Sequence, residues 1–287
     1  ESMMRLKKRI TTIELSNKSF YMVYSIFLMY SLLGHISMYN SLLKVGTIIG
    51  LLWMSFIVMI RAKEYSFAEV RMVCIGIVVF MVIGLFSKDF GLLKLCLFVF
   101  GAKDIDIDKC IRYDTFLRAG LIFYIVYLYN IGVAPDVIAY SGVIIRHSMG
   151  FTNPNAFGMA VVILGLDILY FSRMKFSVLN FVVVINLIVI VYKYSYSRTA
   201  VYTMVFAVIL VAANSLKKSI FESKIIQQLI IGLPLGFFVL TFGATLLYKL
   251  GISIANKLNI MLTDRLYYIK WYINNYRVNL FGKSIIG

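Results

Sequence analysis

Apolar stretches alternate with short basic segments along most of this chain, from Phe20 to Tyr248. A bilayer core about 30 Å thick is crossed by about 20 mostly apolar residues in a helix, so each stretch predicts a transmembrane span. The predicted spans are 19–34, 45–60, 70–86, 90–101, 115–133, 154–171, 176–192, 199–213 and 226–248, the fourth being short. The expected architecture is therefore all-α: a polytopic transmembrane helical bundle of about nine spans over residues 1–248, then a C-terminal extracytoplasmic segment, 249–287. In that segment Leu262, Leu266, Ile269, Ile273, Tyr276 and Leu280 recur every three or four residues. This spacing predicts an amphipathic helix on the outer membrane surface, with Tyr267, Tyr268, Trp271 and Tyr272 at headgroup depth.

Composition supports the same solvent. Of 287 residues, 61% are hydrophobic and 15% charged, and the mean hydropathy is +0.87, outside the range of water-soluble domains. The formal net charge of +16 raises nucleic acid as a partner. The cations, however, flank apolar runs instead of forming one patch or stripe, so no nucleic-acid partner is expected. Arg5, Lys7, Lys8, Arg9 and Lys18 precede the first span, which places the N-terminus in the cytoplasm by the positive-inside rule. Alternating from there, the inner loops carry Arg61, Lys63 and Arg71, then Lys103, Lys109, Arg112 and Arg118, then Arg173 and Lys175, then Lys217, Lys218 and Lys224. Seventeen cations thus fall inside, against six on the outer segments before residue 249: Lys44, Lys88, Lys94, Arg146, Lys193 and Arg198. Cys74, Cys96 and Cys110 show no paired spacing and predict neither a disulfide nor a metal site. The first apolar run lacks a small-residue cleavage pattern and reads as a retained span, while Glu1 in place of an initiator methionine suggests a fragment boundary.

The most informative stretch runs from Arg146 to Gly158 on the outer side of the sixth span, Arg-His-Ser-Met-Gly-Phe-Thr-Asn-Pro-Asn-Ala-Phe-Gly. Asn153 is a good helix N-cap, and Pro154 suits the first helical position, where its missing N–H costs nothing. The helix start, with its amides and positive dipole end, faces the outer interface, where an anion can bind beside Arg146. Ser197-Arg198-Thr199 repeats the arrangement at the outer start of the eighth span. Forked guanidinium groups suit phosphate oxygens, so two arginines at two helix starts predict a phosphate or pyrophosphate site at the outer leaflet. The alternative is a plain helix start with both arginines reaching to lipid headgroups.

At these residues the chain resembles bacterial oligosaccharide repeat-unit polymerases of the Wzy type, which share a superfamily with the O-antigen ligases. The resemblance rests on Arg146 with Gly150-Phe151-Thr152-Asn153-Pro154-Asn155 and Gly158, on Ser197-Arg198-Thr199, and on Asp264-Arg265 followed by Phe281-Gly282. It implies a multi-pass protein of the bacterial cytoplasmic membrane in capsule or exopolysaccharide synthesis. Such a protein moves a growing glycan from undecaprenyl pyrophosphate onto the next lipid-linked oligosaccharide, with neither metal nor cofactor. The implied partners are that substrate, membrane lipid, a chain-length regulator and the flippase of the same pathway. The resemblance assigns pyrophosphate binding to Arg146, Arg198 and Arg265, with Asn153 and Asn155 beside them. Members of the superfamily continue past the Phe281-Gly282 segment into further spans, so the resemblance implies either a C-terminal truncation at Gly287 or the absence of part of the catalytic apparatus.

Such a transfer also needs a base for the acceptor hydroxyl. The outer-side candidates are His147, first because of its neutral imidazole beside Arg146, then Asp264, Asp136 and Asp89. Asp104, Asp106 and Asp108 imitate a metal-binding triplet, but Lys109 stands where a calcium loop needs glycine, so a solvated inner loop is expected. Asp167 and Lys94 are expected to pair or to reach toward the interface, and His35 to be an interfacial polar residue. A ligase would use the same anion site, whereas a flippase would more often show inverted repeats and helices broken at mid-membrane.

Overall fold

The computed structural model describes residues 2–141, 143–172, 177–216, 223–262 and 264–276. The predicted inner-loop cations Arg173, Lys175, Lys217 and Lys218, as well as Leu280, Phe281 and Gly282, lie outside these residues. The chain is an all-α membrane protein whose helices are α1 (Ser2–Leu33), α2 (Ser37–Arg61), α3 (Phe67–Ser87), α4 (Gly91–Gly101), α5 (Ile107–Asn130), α6 (Pro154–Ser172), α7 (Val178–Ile190), α8 (Arg198–Leu216), α9 (Lys224–Lys249), α10 (Ser253–Met261) and α11 (Arg265–Asn275). One small antiparallel hairpin, β1 (Ala139–Ser141) and β2 (Ile144–Arg146), lies between α5 and α6, with Ala139 opposite Arg146.

Among the described residues five helical segments are long and apolar enough to cross a bilayer: α2, α3, α6, α7 with its extension to Ser195, and α8. A sixth is α9, bent by 47° between Leu233 and Leu235. The sequence puts Pro234 at that bend, where the missing N–H removes a helical hydrogen bond. Helices also cover the other three predicted spans, but with a different character. The eleven residues of α4 rise only about 16 Å. The first half of α5 carries Asp108, Lys109, Arg112, Asp114 and Arg118, and α1 begins at Ser2 and takes in the whole basic N-terminal stretch.

The chain forms two compact units, Glu1–Arg71 with Leu97–Lys217, and Met72–Cys96 with Lys218–Gly287. In the first unit α1 packs on α2 and α5, and α6 packs on α5, α7 and α8. Half of the α6 span is buried, against 11% for α8, so α6 is an inner helix and α8 leaves most of its surface uncovered. Its core gathers Leu28, Ile125, Phe151, Phe157, Val161 and Met204. Burial of each large side chain there contributes about 1.5–3 kcal/mol relative to exposure in water, although against lipid only the packing part of that gain survives.

Asp104, Asp106 and Asp108 are all exposed, as expected of a solvated segment, and two of them also hold the start of α5 in place. Asp106 is the N-cap of α5, its carboxylate accepting from the Asp108 and Lys109 amides at 3.0 and 3.2 Å, and Tyr170 Oη donates to Asp108 at 2.6 Å. These amide bonds hold the Asp106 carboxyl below the usual carboxylate range.

In the second unit α10 and α11 both pack on α9. The expected amphipathic helix is interrupted: α10 ends at Met261, and Asp264 adopts a left-handed conformation, φ 62°, before α11 begins. From Leu266 onward the periodicity holds, since Leu266 is buried and Ile269, Ile273 and Tyr276 are half-buried. Tyr267, Tyr268, Trp271 and Tyr272 are exposed around a depression of about 240 Å³.

Candidate anion and base site

The site begins where α5 ends. Gly132 takes a positive φ of 75°, as a helix-terminating glycine does, and the Val133 and Ala134 amides donate back to Leu128 O. The chain then passes Asp136, makes the β1–β2 hairpin and returns through Arg146, His147 and Ser148. Met149 and Gly150 turn the backbone with φ of 51° and 85°. A side chain on Gly150 would meet Tyr129 Cβ at 3.0 Å and Ile125 O at 3.1 Å, which explains glycine in the motif. Phe151 and Phe157 anchor the turn in the core, ring centroids 5.4 Å apart.

Asn153 caps α6 as the sequence predicts, its Oδ1 accepting from Ala156 N at 2.9 Å. The Ala156 and Phe157 amides also donate to Asn153 O. The cap thereby consumes most of the α6 amides expected to face an anion, and the arginines are the better anion-binding groups. Asn155 acts differently, because its Oδ1 accepts from Arg146 Nη2 at 2.6 Å and from Ser197 Oγ at 3.3 Å. One amide oxygen thus ties the hairpin to the starts of α6 and α8.

That junction needs Gly158. A Cβ there would lie 2.7 Å from Ser197 Cβ and 2.9 Å from its Oγ, so only glycine lets the two helix starts approach this closely. Ser197 is buried and gives its hydroxyl to Asn155 rather than to an amide of its own helix.

A feature that periodicity does not reveal completes the frame. α7 ends in a π-helical turn, Val191–Ser195, whose widened winding turns carbonyls toward the hairpin. Tyr194 O accepts from His147 N at 2.8 Å, and Ser195 O accepts from Arg146 Nε at 2.9 Å. Tyr196, left-handed at φ 44°, then redirects the chain into α8.

Arg146 is thereby fixed by two bonds, which leaves three of its five N–H donors for an oxyanion. Arg198 is exposed, with its guanidinium 5.3 Å from the Tyr196 ring centroid. Burial, then the neighbouring Arg198 charge, draws the Arg146 guanidinium below the usual arginine range. Two cations held this close repel each other, an arrangement that a bound anion stabilises.

Beside them stands a pair whose partnership the sequence did not show. His147 Nδ1 lies 2.6 Å from Asp136 Oδ2. Asp136 Oδ1 accepts from Ser148 N at 2.8 Å, Ser148 Oγ at 3.2 Å and Met149 N at 3.2 Å. Although burial opposes it, this set of donors holds the Asp136 carboxyl below the usual carboxylate range. An ionised carboxylate only accepts, so Nδ1–H donates to it, and in a neutral ring Nε2 then carries the lone pair. The His147 side chain is 38% exposed, enough for a reacting hydroxyl to reach it. His35, expected to be an interfacial polar residue, closes the turn from the other side: its Nε2 donates to Gly150 O at 2.7 Å.

The remaining candidates belong to the second unit. Asp264 begins α11 and its Oδ1 accepts from the buried Asn259 Nδ2 at 2.8 Å, with Arg265 the exposed first residue of the helix. Asp89 Oδ1 accepts from Gly91 N at 2.8 Å and starts α4. Both carboxylates have structural roles where they stand. Among the described residues no group of three or more His, Cys, Asp or Glu side chains is placed to hold a metal ion.

No protein-family model, curated protein or solved structure matches the chain.

Asp136 supports a pH prediction. Its contribution to stability is complete above the pKa of an unfolded aspartate, about 3.9, and fades as pH falls through the lower folded value. Asp136→Asn should therefore destabilise the protein near neutral pH and flatten its acid sensitivity. Thermal unfolding in detergent across the acid range measures both; wild-type behaviour in the variant would show that the bonds contribute nothing.

Proposed function

We propose that this chain is a repeat-unit polymerase of the Wzy type, transferring a glycan from undecaprenyl pyrophosphate at the outer face of the bacterial cytoplasmic membrane. The observation that carries the proposal is the convergence of Arg146 and Arg198 with the Asp136–His147 pair at the joined starts of α6 and α8. In this reading α1, α4 and α5 supply the remaining spans of a nine-span bundle, with the N-terminus in the cytoplasm. The distribution of basic residues supports that orientation.

The reaction follows from these groups. The acceptor hydroxyl of one lipid-linked unit attacks the anomeric carbon of the donor glycan, and a new glycosidic bond forms as the bond to the pyrophosphate oxygen breaks. The electron pair leaves with the lipid pyrophosphate, whose growing charge Arg146 and Arg198 stabilise. The hydroxyl proton passes to His147 Nε2, and Asp136 stabilises the resulting imidazolium. Asn155 positions Arg146 rather than meeting the substrate through its engaged oxygen.

Deleting the gene and separating the lipid-linked glycans tests the reading. Accumulated single repeat units are the expected result. Full-length chains retained on lipid would instead indicate a ligase, and units trapped on the inner leaflet a flippase. His147→Gln is expected to lower polymer output by about 10²–10⁴-fold, the usual worth of a general base. Normal output would remove His147 from the mechanism.

A further inference from the structure

The β1–β2 hairpin turns the wrong kind of side chain outward for a loop in water. Its register sets Ala139 opposite Arg146 and Tyr140 opposite Ile145, and successive side chains of a strand point to opposite faces. Ala139, Ile144 and Arg146, on one face, are half-buried. On the other face Tyr140 is 73% exposed and Ile145 51%, and Val143, at the turn, is 99% exposed. An antiparallel pair with one face in water carries its apolar residues inward and its polar ones outward. Here the outward residues are apolar, and no charged residue stands between Asp136 and Arg146.

The base of the hairpin is fastened at a defined level. Arg146 bonds to Ser195 O and to Asn155 Oδ1, and His147 N to Tyr194 O. Ser195 ends the apolar segment Val178–Ser195, Asn155 is the second residue of Pro154–Phe171, and both segments are long enough to cross a bilayer. Arg146 therefore sits where spans end, at the edge of the hydrocarbon. Val143 is three residues away, about 10 Å along an extended strand, so the tip cannot leave the neighbourhood of the interface. Nor can the hairpin sink far inward, because the unpaired amides and carbonyls on the outer edges of two strands are not tolerated among acyl chains. The headgroup–acyl boundary satisfies both the apolar face and the open backbone edges. Bulk lipid fits this surface better than a protein does, because the rim of a protein interface is polar and the hairpin offers no charged side chain. The apolar exposure also continues into Val133, Ile131 and Tyr127 at the end of α5.

We propose that the β1–β2 hairpin is seated in the membrane surface, with Tyr140, Val143 and Ile145 inserted among the lipids beside the starts of α6 and α8. Because Arg146 is the last residue of β2, the seated hairpin sets the depth of its guanidinium at the level of lipid headgroups. That consequence rests on the polymerase reading, whereas the seating itself does not.

The test uses the full chain in lipid nanodiscs, one copy per disc and no other protein, and it reads no activity. Trp53→Phe with Trp271→Phe removes both native tryptophans. Val143→Trp then places a single reporter at the tip, and Tyr140→Trp in the same background places one on the exposed face; both positions are open enough for the larger ring. Emission from either reporter should be blue-shifted and resistant to iodide in the buffer. It should lose most of its intensity in discs of brominated phosphatidylcholine, more so with bromine near the headgroup end of the acyl chain than near its tip. Water-like emission that iodide quenches and brominated lipid leaves unchanged would overturn the proposal, and would mark the hairpin as solvated or kept for a protein partner. The two reporters are read separately, so one that fails to fold leaves the other to decide. Either result leaves the polymerase reaction to be judged by the gene deletion.

Discussion

Arg198→Ala should lower polymer formation by about 10²–10³-fold, the usual effect of losing one preorganised charge-stabilising group, while the protein stays at its normal level in the membrane. Arg198 is suited to this test because it is exposed and its guanidinium rests against the Tyr196 ring, so its removal leaves the frame of the site intact. Arg146 differs. It is half-buried and bonded to Ser195 O and Asn155 Oδ1, so Arg146→Ala should lose both turnover and stability. Arg146→Lys should rescue little, since an ammonium group cannot span both acceptors and still present a fork to the substrate. Quantifying polymer by gel alongside immunoblots of the membrane fraction separates the two effects. An Arg198→Ala strain with full polymer would detach the second arginine from the reaction.

Gly158 carries the second large effect. A methyl group there would sit 2.7 Å from Ser197 Cβ and 3.1 Å from Ala200 Cβ, atoms fixed close to the α8 backbone that cannot swing aside. Gly158→Ala should therefore push the start of α8 away from α6 and destabilise the protein by about 1–3 kcal/mol, as overpacking does. A larger residue such as valine should cost more. The Ser197–Asn155 bond should break, and turnover should fall even though Arg146, His147 and Arg198 are all present. Melting in detergent together with polymer yield checks this; wild-type values for both would mean that the two helix starts need not touch.

The fold was legible wherever one local rule decided it. Apolar length marked the helices, and Asn153-Pro154 marked the start of α6 because cap chemistry acts over three residues. Spans were harder to count than helices, because α4 is short and the charges of α5 lie in its first half, so apolar length does not decide their path. The candidate site was legible only as separate patches. Arg146, His147 and Arg198 could be named from residue type and position, but their frame depends on contacts between residues distant in sequence. Asp136 is eleven residues from His147, Ser195 is 49 from Arg146, and His35 is 115 from Gly150. No periodicity encodes such pairs. The π turn of α7 was equally hidden, since Val-Tyr-Lys-Tyr-Ser reads as an ordinary continuation of an apolar helix. Asn155 was legible as part of the motif, but not that its oxygen holds Arg146 in place.

The proposed chemistry requires Arg146 and Arg198 to lie at the outer membrane face. The most direct measurement replaces Cys74, Cys96 and Cys110, introduces a single cysteine at position 198 or 147, and treats intact cells with a membrane-impermeant maleimide. Labelling of intact cells is the predicted result. Labelling only after the cytoplasmic side is exposed would contradict it.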